Sequence, residues 1–391
     1  MIEKKIYSKL KMFYRNEKEE LHEPCFSKHE KLEILKCLKS TYVSTKGKNT
    51  KKFEKKIKLT TKSKYSVAII NATTGIFICL KTLGVKEGDE VLVPSLTFIG
   101  SVNPIAYCNA TPHFVDLNND LMDIDYDRLD HYLSSIVNFK NGKCYNKNTN
   151  KVIKAIIPVH LFGHPSNMRR CLSLAKKYQL KIVEDCAESF GSKYQGRHVG
   201  NFGSMGVISF NGNKIITTGG GGAIITNSKK IYSKINHICS TSKIVKNHRI
   251  FHNEIGYNFK MPSLNASLGL AQIQKLKNFI KKKRWLYKKY VKVLSDTNEY
   301  KIMKEPINTF SNYWLQTIIL NDKNKQSQKK IIKYLNKKGV GVRPPWQPIH
   351  TLKPYKKCPK MILKNTSKAS ASLIHLPSGA NVGHSYKKVD M

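Results

Sequence analysis

The chain reads as an α/β protein: a large domain on a mostly parallel sheet sandwiched by helices, then a smaller C-terminal α/β domain. Two observations carry this. Between residue 64 and about 227, short β-rich apolar runs alternate with helical patterns, and such alternation implies parallel strands covered on both faces. After Pro262 one long helical pattern, apolar early and lysine-rich later, leads to a shorter strand–helix set. The expected domains are 1–262, an N-terminal arm plus the large domain, and 263–391, the linking helix plus the small domain.

The first 35 residues predict short helices packed on the body. Ser66 to Ile70 (SVAII) reads as a strand and is followed by a helix from about Thr74 to Leu83. Glu90 to Pro94 (EVLVP) leads into a helix from about Thr97 to Tyr107. Pro112 to Leu117 (PHFVDL) precedes a helix from Tyr126 to Val137, and 138–151 reads as an exposed hairpin or loop. Lys154 to Gly163 precedes a helix from Asn167 to Tyr178. Lys181 to Ala187 (KIVEDCA) leads into an irregular stretch, and Val207 to Phe210 and Ala223 to Thr226 bracket a lysine-bearing turn. A long helix from Pro262 to about Asp296, a strand at Trp314 to Leu320 and a helix at Gln326 to Lys338 complete the pattern. Ligands on such sheets sit beyond the carboxyl ends of the strands, and the candidate residues fall at those ends.

The chain has 391 residues, enough for a large core. Hydrophobic residues make up 40% and charged residues 24%, a globular rather than a disordered composition. No apolar run approaches the ~20 residues of a membrane-spanning helix. The stretch MIEKKIYSKLKMFYRNEKEEL has no apolar signal-peptide core, so a cytoplasmic protein with no membrane partner is expected. Nine cysteines show no CxxC pair and no zinc-ligand spacing, and Cys79, Cys171 and Cys186 fall in apolar periodic segments. They read as reduced core residues, and no metal site is expected. The net charge is +43, with eight arginines against 61 lysines spread along the chain. That describes a lysine-rich solvated surface rather than a nucleic-acid footprint, for which arginine is better suited. What survives is a positive field that favours anionic small substrates.

The most informative stretch is Gly206 to Thr226, GVISFNGNKIITTGGGGAIIT. Lys214 stands between an apolar run and four glycines. A desolvated or cation-flanked amine loses its proton readily and attacks carbonyls, which suggests a Schiff-base lysine. Four segments complement it. Asn71-Ala72-Thr73-Thr74-Gly75, between a strand and a helix, is either a phosphate cradle or a plain N-cap. Glu184-Asp185-Cys186-Ala187-Glu188 ends a buried apolar strand. A carboxylate there needs a partner, either a protonated heterocyclic nitrogen or the next turn. Ser209 is either a phosphate ligand or a satisfied strand-end serine. Phe98, in Pro94-Ser95-Leu96-Thr97-Phe98, either stacks on a planar ring or joins the core. Read as one site, these pieces suit pyridoxal 5′-phosphate. The run Gly219 to Gly222 lacks the spacing of a dinucleotide loop.

At these residues the sequence resembles the DegT/DnrJ/EryC1/StrS family of sugar aminotransferases, of fold type I among pyridoxal-phosphate enzymes. The likeness runs from about Leu21 to Val382, on VKEGDEVLVPSLTF, PVHLFGHP, KIVEDCAESFGSKYQGRHVG, SFNGNKIITTGGGGAIIT and GYNFKMPSLNASLGLAQI. It implies that Lys214 forms the Schiff base and Asp185 pairs with the pyridinium nitrogen. Glu188 would lie near the ring and Phe98 would stack on it. Ala72, Thr73 and Ser209 would hold the phosphate. Asn258 would reach the phosphate of a neighbouring subunit, making the active unit a homodimer with shared sites. LHEPCF, TYVSTKGK, FNGNKIITTGGGG and RPPWQPIHTLKPYKKCPKM look like the branch that makes 4-amino sugars for legionaminic acid and related surface glycans. Ala72 stands where the family usually has glycine, and Lys260 where it has arginine. Related dehydratases carry histidine at the lysine position, so Lys214 argues for transamination.

The expected reaction moves an amino group from L-glutamate to a nucleotide-linked 4-keto-6-deoxy N-acetylhexose. Tyr313, Arg343, Trp346 and His350 are candidates for sugar or nucleotide contacts, with structural roles as the alternative. Two rivals stand beside this reading. One is another acceptor on the same scaffold, such as a 3-keto sugar. The other is a non-catalytic polyanion-binding or regulatory protein, which leaves the Lys214, Asp185 and Thr73 constellation unexplained.

Overall fold

The computed structural model describes residues 1–14, 18–118 and 123–383. A nine-stranded sheet forms its centre. Along the main path the strands run Tyr65–Ile69, Gly222–Thr226, Met205–Ser209, Lys181–Asp185, Lys151–Ile156, Asp89–Pro94 and Thr111–Val115. From Met205–Ser209 to Thr111–Val115 every neighbour is parallel. Gly222–Thr226 is antiparallel to both its neighbours. The reversal has a simple cause: the lysine turn joins adjacent strands directly, with no crossover helix to bring the chain back in parallel. Every residue of the Asp89–Pro94, Met205–Ser209 and Gly222–Thr226 strands is buried, as strands covered on both faces must be.

The helix expected after Pro94 is broken into a 3-10 turn, Ile99–Ser101, and a short helix, Asn103–Tyr107. Pro104 sits in the first turn of the latter, where its missing N–H is harmless, and it cannot continue a preceding helix. The 138–151 stretch holds a hairpin, Val137–Lys140 with Lys143–Asn146. Its turn residues Asn141 and Gly142 both take positive φ (51° and 66°), the geometry that Asn-Gly favours.

Two hydrophobic cores share the Ser263–Leu294 helix. Leu276 and Ile280 belong to the core around the large sheet. Leu286, Tyr290 and Leu294 belong to a second core with Ile318, Leu335 and Leu376. The helix Ile2–Lys11 lies with the second core, through Ile6 and Leu10. The smaller sheet there joins Tyr300–Ile302, Gln316–Leu320 and Leu373–Leu376, all antiparallel. All nine cysteines are free. Among the described residues no helix is long and apolar enough to cross a membrane.

Candidate active site

Strand register brings three segments together at the carboxyl edge of the large sheet. Ile69 pairs with Gly222, and Gly222 with Ser209, so the ends of two strands flank the start of a third. The Ala72–Thr82 helix begins at this point. Asn71 caps it, its side-chain oxygen accepting the Thr74 N–H at 2.8 Å. Gly222 is demanded by the crowding: a Cβ there would lie 2.9 Å from the Ala72 nitrogen and 2.8 Å from the Ile208 oxygen. At Gly222, the last of the four glycines, the close approach is to the chain's own backbone. Buried Ser209 accepts the Asn211 N–H at 3.3 Å. A helix N-terminus beside the Thr73 and Ser209 hydroxyls makes an anion cradle.

Lys214 lies in the turn between Ser209 and Gly222. Its Nζ is 3.8 Å from Glu188 Oε1 and 3.9 Å from the centre of the Trp314 ring. Burial pulls the amine below the ordinary lysine range, the Glu188 and Asp185 charges oppose this, and Arg343 adds to it. Burial pushes the Glu188 carboxyl up to about 7, against the pull of Lys214 and of the Phe162 N–H, which donates to Glu188 Oε2 at 2.7 Å. Phe162 presents that N–H from a left-handed conformation, φ 57°. Asp185 closes the neighbouring strand, 3% exposed. Its Oδ2 accepts the Ser101 hydroxyl at 2.6 Å and its Oδ1 the Ala187 N–H at 2.9 Å. Each oxygen keeps capacity for a further donor.

Aromatic rings wall the other side. The Arg343 guanidinium lies 5.2 Å from the Trp346 ring centre. Trp346 stacks on Phe162 at 5.6 Å and meets Phe98 at 6.2 Å. Phe98 is 50% exposed, so it is not a core residue. Its ring and the Thr73 hydroxyl flank Gly100, where a Cβ would lie 2.9 Å from each.

The remaining candidates sit elsewhere. Tyr313 is buried outside this cluster, stacked on Tyr287 at 4.3 Å, its hydroxyl accepting the Glu305 N–H at 3.3 Å. The side chain that meets Lys214 is its neighbour Trp314. His350 anchors its segment to the end of a sheet strand, with Nδ1 2.7 Å from Ser95 Oγ. Asn258 is exposed and pairs with Ser240 in an isolated β-bridge. Sequence reasoning missed Trp314, Ser101 and Phe162. All three lie in segments whose apolar or hydroxyl character is also that of ordinary core.

His160, Glu184 and Cys186 form the one cluster of metal-ligand types among the described residues. Its donors are already used. Glu184 accepts N–H groups from Gly200, Phe202 and Gly203, each at 2.7 Å, and faces His160 Nε2 at 3.3 Å. His160 Nδ1 accepts the Ser166 N–H, so Nε2 carries the ring proton. Burial pushes the Cys186 thiol well up. Glu184 is therefore the structural acid of the pair Glu184-Asp185: it holds the 200–203 loop.

An anion cradle, an amine with depressed basicity and an acid with spare acceptor capacity fit pyridoxal phosphate. This equipment is that of a pyridoxal-phosphate-dependent aminotransferase. The chain belongs to the DegT/DnrJ/EryC1/StrS aminotransferase family, whose profile matches residues 24–388. It is 37% identical over 335 residues to the GDP-perosamine synthase of Escherichia coli O157:H7, covering 86% of each chain. The GDP-perosamine synthase of Vibrio cholerae is 30% identical, again over 86% of each. Among solved structures, Helicobacter pylori PseC, an aminotransferase involved in the biosynthesis of pseudoaminic acid, superimposes with a TM-score of 0.84. That match has 25% identity and covers 93% of this chain and 94% of PseC.

Proposed function

We propose that this chain transfers the amino group of L-glutamate to the C4 ketone of a nucleotide-linked 4-keto-6-deoxyhexose, for a surface-glycan amino sugar of the legionaminic acid type. The observation that carries the reading is the Lys214 amine held 3.8 Å from Glu188 and in the field of Asp185. The likeness to GDP-perosamine synthases supports a nucleotide-sugar acceptor and favours GDP as the nucleotide it carries.

Bound pyridoxal phosphate supplies a carbonyl that carries the amino group and a ring that accepts electrons. Ala72, Thr73 and Ser209 would hold its phosphate, Phe98 would cover its ring, and Asp185 would keep a proton on its ring nitrogen. Lys214 would take the proton from the donor Cα and pass it to the cofactor's carbonyl carbon, as base and then acid. Glu188, with a carboxyl near neutrality, steadies the amine in either state. Arg343 offers a fixed cation to an anionic part of the substrate. Asn258 completes the site of a second copy, so the working unit is a homodimer.

The visible spectrum before and after L-glutamate is the first test. A yellow band that bleaches on glutamate is expected, as is a Lys214→Ala chain that is colourless, inactive and equally folded. Turnover by Lys214→Ala would sink the reading. Product analysis with GDP-, UDP- and dTDP-linked 4-keto and 3-keto sugars then separates the acceptors.

A further inference from the structure

Trp314 is tied to the site along its whole length. Lys214 Nζ rests on its ring face, 3.9 Å from the centre. Its Nε1–H donates at 2.8 Å to the carbonyl of Asn213, the residue before Lys214, so ring and lysine turn move together. Its backbone N–H donates to Asn312 Oδ1 at 2.8 Å. Asn312 in turn donates to the Glu188 and Phe190 carbonyls, each at 3.0 Å. The Trp314 carbonyl accepts from Lys283 Nζ at 3.0 Å, and the same amine donates to the Ser378 carbonyl. Trp314 and Lys283 are each 1% exposed. A lysine buried this deeply is costly, and burial brings its amine down to about 7. In either protonation state it still has N–H groups for both carbonyls.

We propose that Trp314 is a further catalytic residue, its indole face being the seat of the Lys214 amine whenever that amine is not joined to the cofactor, and that Lys283 is the positioning residue that fixes this seat. The contact itself is geometric; its use in catalysis rests on the aminotransferase reading. A lysine that acts as base and then acid alternates between a neutral and a charged head in a nearly dry site. Glu188 faces the charged head on one side. The ring face supplies the second partner, since an indole attracts a cation most strongly where water is excluded. The seat also limits the swing of a four-carbon side chain, so the amine returns to one place after each proton transfer.

The test reads Lys214 directly in the ligand-free, full-length protein. Peptide-resolved acetylation with acetic anhydride, from about pH 6 to about pH 11, follows the neutral amine. The charged and titratable groups around it are Glu188, Asp185 and Arg343, and its charge is felt by His22; all stay in place in the variants. Trp314→Leu removes a partner of the ammonium, so the midpoint should fall by about one pH unit, which makes labelling below the midpoint about tenfold faster. Trp314→Phe keeps a weaker ring and should fall by less, and it carries the test if the leucine variant does not fold. A folded variant with an unmoved or raised midpoint overturns the seat. Lys283→Met should shift the profile in the direction of Trp314→Leu, while Lys283→Gln, which keeps donors, should not. A folded Lys283→Met with the wild-type profile removes the positioning role. These outcomes are separate from the aminotransferase reading: glutamate bleaching with an unmoved profile defeats the seat alone, whereas turnover by Lys214→Ala defeats the reading.

Discussion

Burial holds Glu188 and Lys214 in unusual states against each other's pull, and the sign of the consequence can be worked out. Glu188 has its carboxyl raised to about 7 by burial. A carboxyl whose folded value exceeds its unfolded one favours the folded state while protonated. Its contribution is fully present below the unfolded value, near 4.5, and is lost as pH rises through about 7. Glu188→Gln should therefore flatten the fall in unfolding free energy of the ligand-free protein across that window, by an amount on the order of 3 kcal/mol at most. A variant as pH-sensitive as the parent would show that Glu188 is not the group responsible. Lys214 stood out in the sequence as one charge between an apolar run and four glycines, and Asp185 as one of an acidic pair ending an apolar strand. Trp314 did not, because an aromatic leading into a buried strand gives the same signal as any core residue. Lys260, where the resemblance led arginine to be expected, bonds Glu54 at 3.1 Å and Asn236 at 2.9 Å, so here it ties the Lys48–Thr61 and Lys229–Ile238 helices together.

Among the elements, the alternation of strands and helices was readable because the central strands of the large sheet, such as Met205–Ser209 and Gly222–Thr226, are buried apolar runs. Strand direction was not, since hydrophobicity does not distinguish a parallel from an antiparallel neighbour, and Gly222–Thr226 runs against both of its own. That reversal sets Gly222 against the cradle. Gly222→Ala would press a methyl on backbone atoms that have no rotamer to give way. Cofactor affinity is expected to drop about tenfold or more, read by the pyridoxal phosphate retained after dialysis. Unchanged retention would mean that the cradle can shift. The hairpin Lys243–Lys246 with Arg249–His252 has all eight residues exposed, Ile244, Val245, Ile250 and Phe251 among them. A lone two-stranded hairpin is marginal in water, and this one fits the proposed homodimer as a contact between copies. Val245→Asp with Phe251→Asp is expected to lower the sedimentation mass toward one chain; an unchanged mass places the dimer contact elsewhere.

For the molecule as a whole, the proposed sharing of sites makes a distinctive prediction. Chains carrying Lys214→Ala and chains carrying Asn258→Ala, each impaired alone, should regain part of the activity when mixed and reassembled; no recovery would mean that each chain completes its own site. The net charge of +43 makes reassembly and substrate capture sensitive to salt. The second core has its own consequence. Ile6 and Leu10 are packed with Leu376 and Val382, partners that leave the ribosome at opposite ends of synthesis. The large sheet, whose last main-path strand ends at Thr226, can assemble while later residues are still being made. Until residue 382 emerges, the N-terminal helix has no finished surface to join, and Leu286, Tyr290 and Leu294 lie along an open apolar flank. A nascent chain of this protein should therefore be a client for chaperones late in translation, with its catalytic sheet already built.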